Sequence, residues 1–193
     1  MPEARLVIFT RYPTPGAAKT RLIPALGAAG AAALHRRLTE HTVAAARAAG
    51  LPFELWTTGG DEAAFREWLG ALVVRSQGEG GLGERLLRAA APHPVIFIGT
   101  DAPDLVPAHL RAAADAVASG RSVIGAAEDG GYWLLGLPEA VPGVFDGIAW
   151  STDTVFAATL GRLQAAGHAP LRLPTLCDLD TPADLPRWPD LVP

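Results

Sequence analysis

Residues 95–105, VIFIGTDAPDL, set a run that is apolar on both faces directly against Thr100-Asp101-Ala102-Pro103-Asp104. A strand with no polar face has to be covered on both sides, as the inner strands of parallel sheets are. The segments around it fit that role. Ala4 to Thr10 (ARLVIFT) is a second buried strand, broken by the prolines and glycine of Arg11-Tyr12-Pro13-Thr14-Pro15-Gly16. An Ala-rich helix is expected from Gly27 to Gly50, followed by a strand over 52–57, a short helix over 61–69 with an acidic cap, and a brief strand over 72–75. The glycine-rich loop 76–83 leads into a helix ending near Ala91, and Pro107 to Ser119 is another helix.

Strands over 122–127 and 132–137 are separated by a four-residue turn. Ser151 to Gly167 reads as a helix capped by Ser151 or Thr152, 171–173 as a last short strand, and 181–184 as the start of a terminal helical turn. Alternating strands and helices imply a three-layer α/β/α sandwich, and the 122–137 pair adds an antiparallel element to a mostly parallel, mixed sheet. Ligands of such sheets bind beyond the carboxyl ends of the strands. The loops at 11–21, 76–83, 100–104 and 128–131 all follow strands, so they are expected to converge on one face.

The chain has 193 residues, which suits a single domain spanning 1–193. A chain of this length buries about 70% of its unfolded surface, so its core needs no disulfide or metal staple. A hydrophobic fraction of 49% argues against disorder, and a net charge of −4 gives no footprint for nucleic acid or an anionic membrane. One cysteine, Cys177, excludes an internal disulfide framework or a Cys-rich zinc site. No run of 18 apolar residues suggests a membrane span, and the start of the chain reads as a strand rather than a signal peptide, so a cytoplasmic location is expected. Fifteen of the sixteen basic residues are Arg; the remaining one is Lys19.

Lys19 lies in the loop RYPTPGAAKTR with Arg11, Gly16 and Arg21. Backbone amides and cations after a first strand make an anion cradle, although Ala18 stands where a Walker A loop requires glycine. The bland alternative is a proline-rich turn with solvated cations. Asp101, at the end of a buried strand, is costly unless solvated or bound to a hard cation such as Mg²⁺. Asp104 reads better as a helix cap. In EDGGYWLLG, Asp129, Gly130 and Gly131 allow backbone to approach a ligand or simply form an Asp-Gly hairpin. In CDLDTPADL, Asp180 offers a second metal carboxylate, Asp178 lies on the same face if the segment is extended, and Asp184 reads as a helix-dipole partner. The five histidines have no convincing partner and read as structural or surface residues.

Six blocks, FTRYPTPGAAKTRL (9–22), GLGERL (81–86), IGTDAPDL (98–105), EDGGYWLLGL (128–137), GIAWST (147–152) and DLDTPADL (178–185), together resemble the rSAM/selenodomain-associated transferase 1 family. That family is also described as arsenosugar-biosynthesis glycosyltransferases of glycosyltransferase-A type. More distantly, the chain is similar to phospholactate guanylyltransferase and the molybdenum-cofactor nucleotidyltransferases. The resemblance implies a nucleotide-diphospho-sugar transferase fold. It also implies that Arg11, Gly16, Lys19 and Arg21 face a nucleotide and its phosphates, and that Asp101 and Asp180 hold Mg²⁺ or Mn²⁺. Gly81, Gly83 and Arg85 would contact base or ribose, and Asp129, Gly130 and Gly131 the acceptor or sugar. DAPD replaces the D-x-D of many glycosyltransferases.

The expected activity is transfer from a nucleotide sugar to a small-molecule acceptor, with Lys19 and Asp101 as the catalytic residues. Nucleotidylyl transfer from a nucleoside triphosphate is the alternative chemistry, and a non-catalytic nucleotide-binding module the alternative class.

Overall fold

The computed structural model describes residues 3–192. The strands are β1 (Arg5–Arg11), β2 (Phe53–Thr58), β3 (Val73–Ser76), β4 (Val95–Ile98), β5 (Val123–Ala127), β6 (Tyr132–Leu137) and β7 (Leu171–Leu176). They form one mixed sheet in the order β3-β2-β1-β4-β6-β5-β7. β1 pairs in parallel with both β2 and β4, and β3 continues on the far side of β2. β6 is antiparallel to both of its neighbours, and β7 is parallel to β5. All strands except β6 therefore point the same way, and the loops that follow them share one edge of the sheet.

Alternation along β1 shows why both faces are covered. Leu6 and Ile8 pack with Val43, Phe65, Leu110 and Val117 from α1 (Ile23–Ala49), α2 (Glu62–Leu69) and α4 (Pro107–Ala118). Val7 and the partly buried Phe9 point the opposite way, toward Leu86 of α3 (Leu82–Ala90) and Leu163 of α5 (Val155–Ala165). β4 follows the same rule: Ile96 and Ile98 join the first cluster, Val95 and Phe97 the second. This is the expected three-layer α/β sandwich. A smaller cluster packs Leu22, Leu34 and Leu38 on Leu179, with Trp188 and Leu191 of the C-terminal segment against it.

Several element ends differ from the sequence expectation. α1 begins at Ile23, with Pro24 in its first turn, and Gly27 interrupts it at φ 69°; Gly50 closes it in the left-handed conformation, as expected. α5 begins at Val155 rather than Ser151, because Ser151 is itself left-handed at φ 64° and cannot serve as the extended cap residue. β7 runs on to Leu176, Pro174 being tolerated on an edge strand. The terminal turn is a 3₁₀ turn over Leu185–Arg187 rather than a helix start at 181. Asp61 caps α2 as expected, accepting from the Ala64 amide at 2.8 Å. Asp104 does not cap α4, whose N-cap is Val106; its carboxylate accepts from Trp188 Nε1 at 3.0 Å.

Candidate active site

At the carboxyl edge of the sheet, the loop after β1 is folded onto the ends of its neighbours. Thr10 Oγ1 lies 3.1 Å from Thr39 Oγ1 of α1 and 3.4 Å from Thr100 Oγ1 beyond β4. His35 Nε2 is bonded to the Arg11 carbonyl at 2.9 Å, and Arg11 Nη1 donates to the Ala17 carbonyl at 2.7 Å. The loop turns at Gly16 (φ 83°) and again at Lys19, a non-glycine residue in the left-handed region (φ 48°, ψ 47°).

That second turn carries the lysine inward. Its ammonium meets Asp101 Oδ1 at 2.5 Å, Asp180 Oδ1 at 2.6 Å and the Leu179 carbonyl at 2.7 Å, and the side chain is 4% exposed. An ammonium has three N–H donors, so all of them are engaged. Burial disfavours its charge, but the two carboxylates and their hydrogen bonds outweigh that, and the Lys19 pKa is raised above its ordinary 10.5. Partial burial likewise works against Asp101, yet the Lys19 charge and hydrogen bond hold its carboxyl below 3.8. The Leu179 amide donates to the Asp101 carbonyl at 2.8 Å, which stitches the segment after β7 to the one after β4. Asp184 shapes that segment by accepting from the Thr181 amide and hydroxyl and from the Asp180 amide. It clamps a turn rather than facing a helix dipole.

A cleft of about 270 Å³ opens over this triad, lined by Arg11, Lys19, Arg21, His35, Asp101 and Asp180. Arg11, Lys19, Arg21, Asp101 and Asp180 are thus brought together. A hard divalent ion is compatible with this donor set, since two carboxylate oxygens and a carbonyl already converge on one cationic centre. Among the described residues no cluster of three or more His, Cys, Asp or Glu is arranged to hold a metal. Two carboxylates suffice for Mg²⁺ where phosphate oxygens and water complete the shell.

The glycine-rich loop shares this edge, with Gln77 Nε2 donating to the Thr10 carbonyl at 3.2 Å, but its far end does not line the Lys19 cleft. The Gly81 amide donates to Glu84 Oε2 at 2.7 Å, Arg85 Nε donates to the Gly80 carbonyl at 2.8 Å, and Gly83 lies close to the Phe145 carbonyl and the Trp150 ring. Gly81 and Gly83 line a separate cavity with Phe145 and Trp150, and share no lining with the Lys19 cleft. Gly130 and Gly131 form the β5–β6 hairpin, with Asp129 Oδ1 accepting from the Gly131 amide at 2.8 Å and the Gly130 carbonyl accepting from the Phe156 amide at 2.8 Å.

Between the hairpin and α3 lies an aromatic cavity of about 220 Å³, walled by Phe9, Phe97, Tyr132, Trp150 and Leu86, with Asp129 and Asp178 among its polar groups. Asp178, given no role by the sequence reading beyond sharing a face with Asp180, is placed by the structure at this cavity. Burial, and then the Asp101, Asp129 and Asp180 carboxylates, push its pKa up to about 7 despite Lys19. Asp178 and Asp180 also meet Arg21 and Asp129 in a third hollow that joins the two regions. The spacing of two in CDLDTPADL was the available signal. Trp150 and Phe9 carried none, because an aromatic residue looks the same in a core as at a cavity wall.

Residues 41–152 match a family model described as an uncharacterized protein conserved in bacteria, DUF2064. The chain belongs to the DUF2064 family. This DUF2064 protein is also similar to a crystal structure from Desulfovibrio desulfuricans G20 described as a candidate nucleotide-diphospho-sugar transferase. The two are 30% identical over 94% of this chain and 84% of that one, with a TM-score of 0.86. Rv0371c of Mycobacterium tuberculosis H37Rv, solved with manganese, superposes with a TM-score of 0.53 at 20% identity, covering 99% of this chain and 98% of that one. CMP:2-keto-3-deoxy-manno-octonic acid synthetase, solved with CTP, gives 0.56 at 14% identity, with 98% of each chain covered. At these last two identities the likeness shows the fold. No curated protein matches the chain by sequence. No helix among the described residues is long and apolar enough to cross a membrane.

Proposed function

We propose that this DUF2064 protein, acting as one unit over residues 1–193, is a glycosyltransferase-A-type transferase that moves a sugar from a nucleotide sugar to a small-molecule acceptor. The observation that carries the reading is the adjacency of two unlike sites: a cleft with three cations and two carboxylates, and an aromatic cavity bordered by Asp129 and Asp178. The likeness to the D. desulfuricans protein supports it.

Arg11, Arg21 and Lys19 bind and neutralise the diphosphate, and their charge matters most as the diphosphate departs. Asp101 and Asp180 would hold Mg²⁺ or Mn²⁺, which when bound supplies further charge neutralisation at phosphate oxygens. The manganese in Rv0371c supports that assignment. The faces of Trp150 and Tyr132 suit the C–H face of a sugar, while Asp129 and Asp178 accept hydrogen bonds from its hydroxyls. The Gly131 amide fixes the Asp129 carboxylate in place. Gly81 and Gly83 lie against Trp150 and Arg85 ties back to the Gly80 carbonyl, so these three are not assigned to the nucleotide in this reading.

Nucleotidylyl transfer is the second reading. It is favoured by the cationic loop, which suits pyrophosphate departure, and by the similar folds of the CTP-bound synthetase and of a Bacillus anthracis protein described as a candidate glucose-1-phosphate thymidylyltransferase. A thermal-shift panel of nucleotide sugars and nucleoside triphosphates, with and without Mg²⁺ or Mn²⁺, separates the readings. A ligand at about 100 times its Kd adds about 2.7 kcal/mol, or roughly 5–11 °C for a chain of this size. A metal-dependent shift with a nucleotide sugar, lost in Asp101→Ala, is expected. A shift confined to triphosphates selects nucleotidylyl transfer, and nucleotide binding indifferent to metal selects a non-catalytic module.

A further inference from the structure

The ammonium of Lys19 stands where a divalent ion would need to be. It lies on one oxygen each of Asp101 and Asp180 and on the Leu179 carbonyl, with no donor left over. A second cation on the same carboxylates would sit within a few ångströms of it, in a place where little solvent reaches the lysine to screen the repulsion. Nor can Lys19 serve a phosphate from this position without giving up one of its three acceptors. The same cleft carries Arg11 and Arg21 beside it. Arg11 is tied through Nη1 to the loop's own backbone, and no ion-pair partner for Arg21 is found among the described residues. A polyphosphate drawn in by these guanidiniums would offer Lys19 new anionic oxygens. Four methylenes let the ammonium swing to them with the backbone turn at Lys19 unchanged.

We infer that Lys19 is a resident counter-ion that keeps Asp101 and Asp180 closed to divalent metal until a polyphosphate takes its ammonium. The inference rests on the reading of Asp101 and Asp180 as a cation site and adds a rule of order to it. Metal and nucleotide load together, because the ammonium moves from carboxylate to phosphate as the metal moves onto the carboxylates. Charge stays balanced throughout, and the nucleotide-free protein holds metal poorly. The apparent affinity for a ligand falls by the fraction of molecules competent to bind it, so a lysine in place more than nine-tenths of the time weakens metal binding at least about tenfold.

The test is titration of Mn²⁺, followed by the electron paramagnetic resonance signal of the free ion, into nucleotide-free wild type, Lys19→Met and Lys19→Met/Asp101→Asn. Lys19→Met is expected to bind at least about tenfold more tightly than wild type, and the double variant to lose that gain. Equal affinity in wild type and Lys19→Met, abolished by Asp101→Asn, would overturn the counter-ion role while leaving the metal site standing. If none of the proteins binds Mn²⁺, with or without inorganic tripolyphosphate, the metal site falls and the inference with it.

A second readout needs no variant. Lys19 is the only lysine, so ¹⁵N-lysine labelling gives a single side-chain ammonium resonance. It should ignore millimolar Mg²⁺ alone and move when tripolyphosphate is added with Mg²⁺. Movement with Mg²⁺ alone would overturn the inference.

Discussion

Neutralising both carboxylates around Lys19 strands a charge, and the cost can be worked from the geometry. In Asp101→Asn/Asp180→Asn, each asparagine keeps an oxygen that can accept from the ammonium, so the loss is electrostatic rather than steric. The ammonium is 4% exposed, while the two carboxylates are 40% and 39% exposed. Removing the partner of a buried charge costs about 3–5 kcal/mol, and access of water to the aspartates places this case near the lower end, about 3 kcal/mol. For a chain of this size that is a fall in Tm of roughly 6–12 °C. Each single variant leaves one carboxylate in place and should lose less than half of that.

Adding Lys19→Met to the double variant removes the stranded charge, and most of the lost stability should return, since well-packed apolar replacements of buried ion pairs are often neutral. The pH dependence has a definite sign. The Asp101 pKa is depressed in the folded state, so its share of the stability is present above about 3.8 and lost as pH falls through the lower folded value. The Lys19 pKa is raised, so its share persists up to 10.5 and is lost only as pH rises through the folded value. The gap between wild type and double variant should be level near neutrality and close in acid. Urea or thermal unfolding in the presence of a chelator measures all of this. A double variant melting within about 2 °C of wild type, or a triple variant no more stable than the double, would refute a buried, charge-paired Lys19.

Asp101→Asn should lower turnover with the donor found by the ligand panel by about 10²–10³, in line with other preorganised charge stabilisers; near-normal turnover would remove it from the catalytic machinery. Glu54 offers a stability test away from the site. It is buried and accepts from Trp56 Nε1 at 2.8 Å, from Arg75 Nε at 2.9 Å and from Arg5. Burial raises its pKa, but these donors prevail and hold it below 4.5. Its contribution is therefore present above that pH and lost as pH falls through the folded value, so Glu54→Gln should destabilise at neutral pH and melt with a flatter acid limb than wild type. Gly130→Ala should lower stability by at least about 2 kcal/mol, because its φ of 88° is combined with a Cβ that would meet the Asp153 backbone. Gly16→Ala, with a similar φ but open space around it, should cost only about 1–2 kcal/mol. Equal losses at the two glycines, measured by urea unfolding, would show that the Asp153 contact does not matter.

The layering of this protein was legible in its amino-acid order. VIFI at 95–98 and the run at the first strand are apolar at every position or nearly so, and such strands have to be sandwiched wherever they lie. The loops at 11–21, 76–83, 100–104 and 128–131 were also legible as sharing an edge, because parallel strands place their following loops on the same side. Element ends were less legible where backbone conformation overrode composition, as at Ser151 and Gly27, and Asp104 went to a tryptophan 84 residues away instead of its own helix. The partnerships within the site came from folding. Lys19 and Asp180 are 161 residues apart, and nothing local marks the lysine as facing a carboxylate rather than a phosphate. Only β7, laid beside β5 with Leu179 buried behind it, returns the C-terminal aspartates to the loop after β1. Folding also set Gly81 and Gly83 against Phe145 and Trp150 rather than on that cleft. A charge pattern along the chain specifies which groups need a partner; which partner each receives depends on the distances that folding creates.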